Sequence, residues 1–104
     1  MAARPVAQIR EEYRNPCRVC LRGSRGYCVG GAICLAHGLE LYFPNNEDLA
    51  RVVQQLNPAL DATAAYKYAS LTLMHNDRGD FKTAWEVAED ALTARGLHLI
   101  LQTE

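Results

Sequence analysis

The sequence predicts one small, mainly α-helical domain of four to five short helices, with a minor two-stranded β ribbon as an optional addition. Its 104 residues match the common size of a single domain. Hydrophobic residues make up 49% and charged residues 22% of the chain, as in a globular protein rather than a disordered one. Apolar residues recur at spacings of three and four, and prolines or glycines separate the periodic segments. We therefore treat residues 1–104 as one domain.

The first half of the chain contains two predicted helices. Residues 5–14 place apolar side chains on one face, and Pro5 suits a first helical position. Residues 26–38 read as a compact buried helix that Gly38 ends. Two adjacent glycines inside it lower its helix propensity, so we expect another backbone to approach closely there. This segment is the predicted centre of the fold.

The second half contains three predicted helices. Asn46 is the predicted N-cap of the first, which ends before Pro58. Pro58 opens the second, which runs to about Met74. Asp80 caps the last, which Gly96 closes and which should pack across the central helix. Its apolar positions form the cleanest amphipathic pattern of the chain: Phe81, Ala84, Trp85, Ala88, Ala91 and Leu92.

Two short segments alternate between apolar and polar residues. Residues 39–43 (LELYF) and 97–101 (LHLIL) both show the period of two that is typical of strands. They are the two predicted members of the β ribbon.

Four cysteines and one histidine form a candidate metal site. Cys17 and Cys20 make a CxxC knuckle of the kind that binds zinc or an iron–sulfur cluster, and Cys28, Cys34 or His37 would complete the set. Residues 28 and 34 lie about 120° apart around a helix and cannot both face one ion. If the chain is still a loop at Cys28, that residue is free to turn toward the knuckle. Ordinary buried thiols are the alternative interpretation.

Cys28 is also a candidate nucleophile, with His98 as the candidate base. It would lie near a helix N-terminus, beside Arg25, and both features lower a thiol pKa. His37 and His75 are the other histidines available as a base. A cysteine helix followed by a histidine strand resembles the arrangement of papain-like hydrolases, but the sheet that such folds need is missing here.

Charge and hydropathy restrict the partners. Residues 1–26 carry six arginines against two glutamates, whereas the rest carries five basic and ten acidic residues. This asymmetry favours charge pairing within the fold over nucleic-acid binding through the basic segment. No apolar run approaches the roughly 20 residues that span a bilayer, and the N-terminus lacks the apolar core of a secretory signal. We expect a cytoplasmic protein with reduced thiols and no membrane contact.

Three short motifs carry a resemblance. They are residues 27–33 (YCVGGAI), residues 76–81 (NDRGDF) and the dipeptide at 87–88. With them the chain resembles small uncharacterised bacterial and phage proteins that combine an aromatic-Cys-x-x-Gly-x-aliphatic helix with a later Asn-Asp turn and an amphipathic helix.

The resemblance implies a structural centre rather than an activity. Cys28, Gly30, Asn76 and Asp77 would form it and dock the Asn-Asp turn against the cysteine helix. Together with the absence of nucleotide-binding or serine-hydrolase motifs, this favours a small non-catalytic interaction or accessory protein of phage or mobile-element type. Its partner would be an unidentified protein or a second copy of the chain.

Overall fold

The protein is a bundle of five helices in a computed structural model that describes residues 3–17 and 26–94. No strand occurs in these ranges, and no helix within them is long and apolar enough to cross a membrane. The mainly α prediction is therefore confirmed. The helices are α1 (Val6–Glu12), α2 (Val29–Ala36), α3 (Asn46–Leu56), α4 (Ala62–Asp77) and α5 (Phe81–Thr93).

The core lies between α4 and its neighbours. The α4 helix packs most extensively against α3 and α5, and the short α2 helix contacts each of the other four helices. Large core side chains come from several elements, including Ile33, Leu49, Tyr68 and Trp85, all of which are buried. The glycine-containing segment is buried and contacts α5 as predicted, but the helix at the centre of the packing is α4.

Side-chain caps set the starts of α3, α4 and α5. The Oδ1 atom of Asp80 accepts a hydrogen bond from the Thr83 amide at 3.2 Å, which confirms the predicted cap. The other two predicted starts are wrong. Asn45, one residue before the predicted position, caps α3, because it is the residue with extended backbone. Pro58 lies in a turn, and α4 begins only after Asp61, whose carboxylate accepts from the Ala64 amide.

Gly38 terminates α2 as predicted, whereas the end of α4 differs from expectation. The α2 helix ends at Ala36, and Gly38 follows with a φ of 81°. The α4 helix continues past Met74 through Asp77, so the Asn-Asp pair forms its last turn and Gly79, with a φ of 78°, makes the turn instead. The α5 helix ends at Thr93, and the predicted closing residue, Gly96, lies outside the described residues.

The predicted strand at 39–43 is wrong. This segment is a loop in which Leu39, Leu41 and Phe43 are half-buried while Glu40 and Tyr42 are exposed. The alternation thus reflects burial against the helices rather than a ladder of backbone hydrogen bonds. The Tyr42 carbonyl of this loop instead accepts a hydrogen bond from the Cys28 amide, immediately before α2. The other predicted strand, 97–101, lies outside the described residues.

Candidate functional site at the start of α2

Asn76 joins three parts of the chain at the N-terminus of α2. Its side chain is completely buried at the end of α4. The Oδ1 atom accepts a hydrogen bond from the Val29 amide at 2.9 Å, and Nδ2 donates to the Cys17 carbonyl at 2.8 Å. The first bond satisfies one of the amides that a helix start leaves unpaired. We call the group Cys17, Cys28, Val29, Gly31, Tyr42 and Asn76 the α2 junction.

Cys28 is the N-cap of α2. Its backbone is extended, with φ −92° and ψ 177°, and its sulfur accepts a hydrogen bond from the Gly31 amide at 3.2 Å. The thiol donates weakly to the Tyr42 carbonyl, with an Sγ–O distance of 3.7 Å. The helix therefore begins after Cys28, which meets the register condition stated for a metal ligand. The sulfur, however, is directed at the start of its own helix.

The loop before α3 approaches α2 at Gly31. The Tyr42 carbonyl accepts from the Cys28 amide at 3.2 Å. A Cβ atom on Gly31 would lie 1.7 Å from that same oxygen, so only glycine fits. At Gly30 the nearest atoms belong to side chains, with Leu49 Cδ2 at 2.9 Å. The predicted close approach of a backbone is thus found at Gly31 and not at Gly30.

Cys17 lies beside Cys28 through backbone pairing. The Cys17 amide donates to the Tyr27 carbonyl at 2.6 Å, and the rings of Tyr13 and Tyr27 meet edge to face with centroids 5.3 Å apart. Cys17 is half-buried, whereas Cys28 is buried. The α2 junction therefore brings together two of the predicted cysteine ligands, from segments that are eleven positions apart in the sequence.

Burial raises the pKa of the Cys28 and Cys34 thiols. It raises the pKa of Cys28, although amide donors at the helix start act in the opposite direction. It raises the pKa of Cys34 to about 12, with a further contribution from Cys28. The lowering expected for Cys28 is therefore reversed, because removal of the thiolate from water outweighs its few hydrogen bonds.

His37 uses both ring nitrogens within the fold. Nδ1 lies 2.7 Å from the Ile33 carbonyl, and Nε2 accepts from the Arg4 amide at 3.0 Å. These bonds assign the Nδ1–H tautomer and leave no lone pair for a metal ion. The Arg4 guanidinium donates to the Ala36 carbonyl and to Glu12, at 3.2 and 2.7 Å. This contact stabilises the carbonyl end of α2.

The remaining predicted site residues are not brought together. No group of three or more His, Cys, Asp or Glu side chains suited to a metal ion occurs within 3–17 and 26–94. Cys20 and His98 lie outside those residues, as does Arg25. His75 lies in the last turn of α4, and its Nδ1 atom is 3.7 Å from the carboxylate of Asp80, which follows the turn after this helix. The metal site and the Cys28 nucleophile stay predictions. A metal site would need Cys20 as a ligand, because the described residues do not form one by themselves.

The resemblance implied that the Asn-Asp pair docks against the cysteine helix, and in the structure Asn76 makes this contact. Asn76 contacts the start of α2 directly, whereas Asp77 is exposed and acts on Cys28 only through its charge. Gly30 packs against side chains from α3 and α4.

Sequence reasoning missed a surface groove between α3 and α4. The α3–α4 groove has a volume of about 380 Å³ and is lined by Asn46, Ser70, Leu73, Met74, Asp77 and Arg78. Tyr66 lies one helical turn before Ser70 on the same face of α4, and its side chain is 45% exposed. The spacing of Tyr66, Ser70, Leu73 and Asp77 would have predicted this face, but the buried face of α4 dominated the pattern.

A second buried asparagine was also missed. Asn57 ends α3, and its Nδ2 atom donates to the Ala91 and Ala94 carbonyls at 2.8 and 2.7 Å. It therefore satisfies carbonyls at the C-terminus of α5. In the sequence it carries only the signal of a helix end before Pro58.

No protein-family model matches this chain, and neither the curated proteins nor the solved structures contain a match to it.

Proposed function

We propose that this chain is a small non-catalytic interaction protein that binds another protein through the α3–α4 groove and the adjoining Tyr66. The observation that carries the proposal is the position of Tyr66. A large aromatic side chain, 45% exposed, lies one helical turn before Ser70 on the face of α4 that borders the groove, and the groove lining combines apolar with charged side chains. Tyrosine is enriched at protein interfaces, where its ring contributes contact area and its hydroxyl a hydrogen bond.

The reactive side chains support a structural rather than a catalytic use of the α2 junction. The Cys28 sulfur, both nitrogens of His37 and both polar atoms of the Asn76 amide are engaged in hydrogen bonds within the fold. A nucleophile has to be ionised and within reach of a base, whereas burial raises the pKa of Cys28.

The groove fits one or two side chains of a partner. Leu73 and Met74 supply its apolar surface, and Asp77 and Arg78 place opposite charges at one end. An apolar side chain of the partner would contact Leu73 and Met74, while polar groups beside it would contact Asp77 and Arg78. This partner is a different protein or a second copy of the chain, and cross-linking distinguishes the two.

Site-specific photo-cross-linking in cells tests the proposal. A benzoylphenylalanine residue replaces Tyr66 in one variant and Gln55, an exposed residue of α3 outside the groove, in a matched control. We expect one defined protein adduct from position 66 and none from position 55. If the adduct contains a different protein, an excess of wild-type chain should abolish it, whereas an excess of the Tyr66→Arg variant should not; an adduct with the mass of two chains would identify a second copy as the partner. Equal adducts from both positions, or no adduct from either, would contradict the proposal.

A further inference from the structure

The backbone contact between Cys17 and Tyr27 limits how far apart two cysteines can be. The Cys17 nitrogen lies 2.6 Å from the Tyr27 oxygen. In a planar trans peptide that oxygen is about 2.8 Å from the next Cα atom, which here belongs to Cys28. The Cα atom of Cys17 is about 1.5 Å from its own nitrogen. The two Cα atoms are therefore at most about 6.9 Å apart, close to the upper limit for a disulfide of roughly 6.8 Å.

The extended backbone of Cys28 separates the orientation of its side chain from the helical turns that follow. Cys28 precedes the first helical residue, so rotation about its Cα–Cβ bond unwinds no turn of α2. That rotation costs the hydrogen bond from the Gly31 amide and the weak bond to the Tyr42 carbonyl. Cys34 is excluded as a partner of Cys28, because six positions along a helix correspond to a rise of about 9 Å.

We propose that Cys17 and Cys28 form a reversible dithiol–disulfide pair, and that the disulfide replaces the thiol N-cap of α2. The two cysteines differ in accessibility, since Cys17 is half-buried and Cys28 is buried. Cys17 therefore reacts first with an incoming disulfide, and Cys28 is the resolving thiol. The proposal does not depend on the function of the α3–α4 groove.

The reaction is a pair of thiol–disulfide exchanges with a low-molecular-weight disulfide such as oxidised glutathione. The Cys17 thiolate attacks one glutathione sulfur, which forms a mixed disulfide and releases one reduced glutathione. The Cys28 thiol then loses its proton as its sulfur attacks the Cys17 sulfur, and this step releases the second glutathione. Two protein thiols are oxidised, one glutathione disulfide is reduced, and the two thiol protons end on the two glutathione thiols.

Peptide mapping of the full chain tests the pairing. Reduced protein, freed of metal with a chelator, is equilibrated with oxidised glutathione, alkylated and digested with trypsin. Cleavage at arginines places Cys17 in peptide 15–18, Cys20 in 19–22, and Cys28 with Cys34 in 26–51. We expect peptide 15–18 to be linked to 26–51. A link between 15–18 and 19–22, a link between 19–22 and 26–51, or complete alkylation of all four thiols would overturn the proposal.

Two serine variants identify the resolving cysteine. The link should persist in Cys34→Ser and disappear in Cys28→Ser. Retention of the link in Cys28→Ser would assign it to Cys34 and overturn the proposal.

Amide hydrogen exchange tests the loss of the cap. The Gly31 amide should exchange at least threefold faster in the oxidised protein. The Ala64 and Thr83 amides, which are bonded to the caps Asp61 and Asp80, should not change. An unchanged Gly31 rate in protein that carries the link would show that the disulfide leaves the cap in place.

Discussion

The α3–α5 part of the molecule and the α2 junction are stabilised in different ways. The α3, α4 and α5 helices bury broad apolar faces against one another, and each begins with a side-chain cap from its own first turn. The α2 junction also has a side-chain cap, the Cys28 thiol, but it depends in addition on a glycine, a backbone carbonyl and an amide side chain 47 positions away in the sequence. Packed apolar faces tolerate small changes of shape, whereas the junction depends on single atoms.

The largest expected effect is at Gly31 in the α2 junction. In Gly31→Ala the new methyl group would lie 1.7 Å from the Tyr42 oxygen, so the loop backbone has to move. We expect a loss of about 4 kcal/mol or more in the free energy of unfolding, which is the upper end for overpacking. Gly30→Ala is the matched control, because its new methyl group would meet side-chain atoms of Leu49, Leu73 and Pro44 rather than backbone, and because alanine has the higher helix propensity. Equal urea midpoints for the two variants would show that the close approach is unimportant.

Truncation of Trp85 tests the α3–α5 part. This side chain is 3% exposed, and Trp85→Ala should cost roughly 3–5 kcal/mol, as for other buried aromatic residues. Glu86→Ala, at an exposed neighbouring position, is the control and should change the stability by about 0.5 kcal/mol or less. A thermal melting curve unchanged in Trp85→Ala would show that α5 is not part of the core.

The two buried asparagines allow a direct comparison of the regions. Asn76→Ala leaves the Val29 amide and the Cys17 carbonyl without partners, which should cost about 2–4 kcal/mol. Asn57→Ala leaves the carbonyls of the buried Ala91 and the half-buried Ala94 without this donor, and because only the first lies at a buried residue, we expect about 1–2 kcal/mol. Chemical denaturation of both variants measures the two stability losses. A larger loss for Asn57→Ala would show that the α2 junction is less sensitive to a lost amide side chain than the end of α5.

A smaller effect is expected at a local cap. Asp80→Ala removes the oxygen that accepts from the Thr83 amide and should cost about 1 kcal/mol. Asp80→Asn keeps an acceptor and should restore most of that loss. If both variants lost the same stability, the charge of Asp80 rather than its hydrogen bond would be responsible.

The pH dependence of the free energy of unfolding tests the raised pKa of the buried thiols. Burial raises the pKa of Cys34 from 9.0 to about 12, so the folded state keeps a proton that the unfolded state releases. Stability is therefore unaffected by this group below about pH 9 and falls as the pH rises toward 12. In urea titrations under reducing conditions, we expect the free energy of unfolding of Cys34→Ala to fall less steeply with rising pH than that of the wild type. The decline should not vanish, because burial also raises the pKa of Cys28 and of Tyr68.

Elements that depend on local sequence were predictable. The apolar periodicity around Trp85 located α5, and Asp80 was recognised as its cap because an N-cap bonds an amide only three positions away. The glycine pair also indicated a close approach before any partner was known. The one-residue error at Asn45 and the wrong start at Pro58 arose where two capping or helix-opening residues compete, and only the backbone conformation chooses between them.

The strand prediction was wrong for a different reason. Residues 39–43 carry the right alternation, but a strand also needs a neighbouring strand, and none occurs within residues 3–17 and 26–94. The Tyr42 carbonyl bonds the Cys28 amide instead, a partner fourteen positions back along the chain, which no local pattern encodes.

The sequence by itself determined the helical class, the approximate positions of five helices and the residues that face the core, because these depend on periodicity and on caps within one turn. Only the tertiary structure decided that Asn76 bonds the start of α2, that Cys28 is buried as a cap, and that Tyr66 borders a groove. These features arise where segments distant in the sequence meet, and the energy of such a contact depends on the positions of single polar atoms.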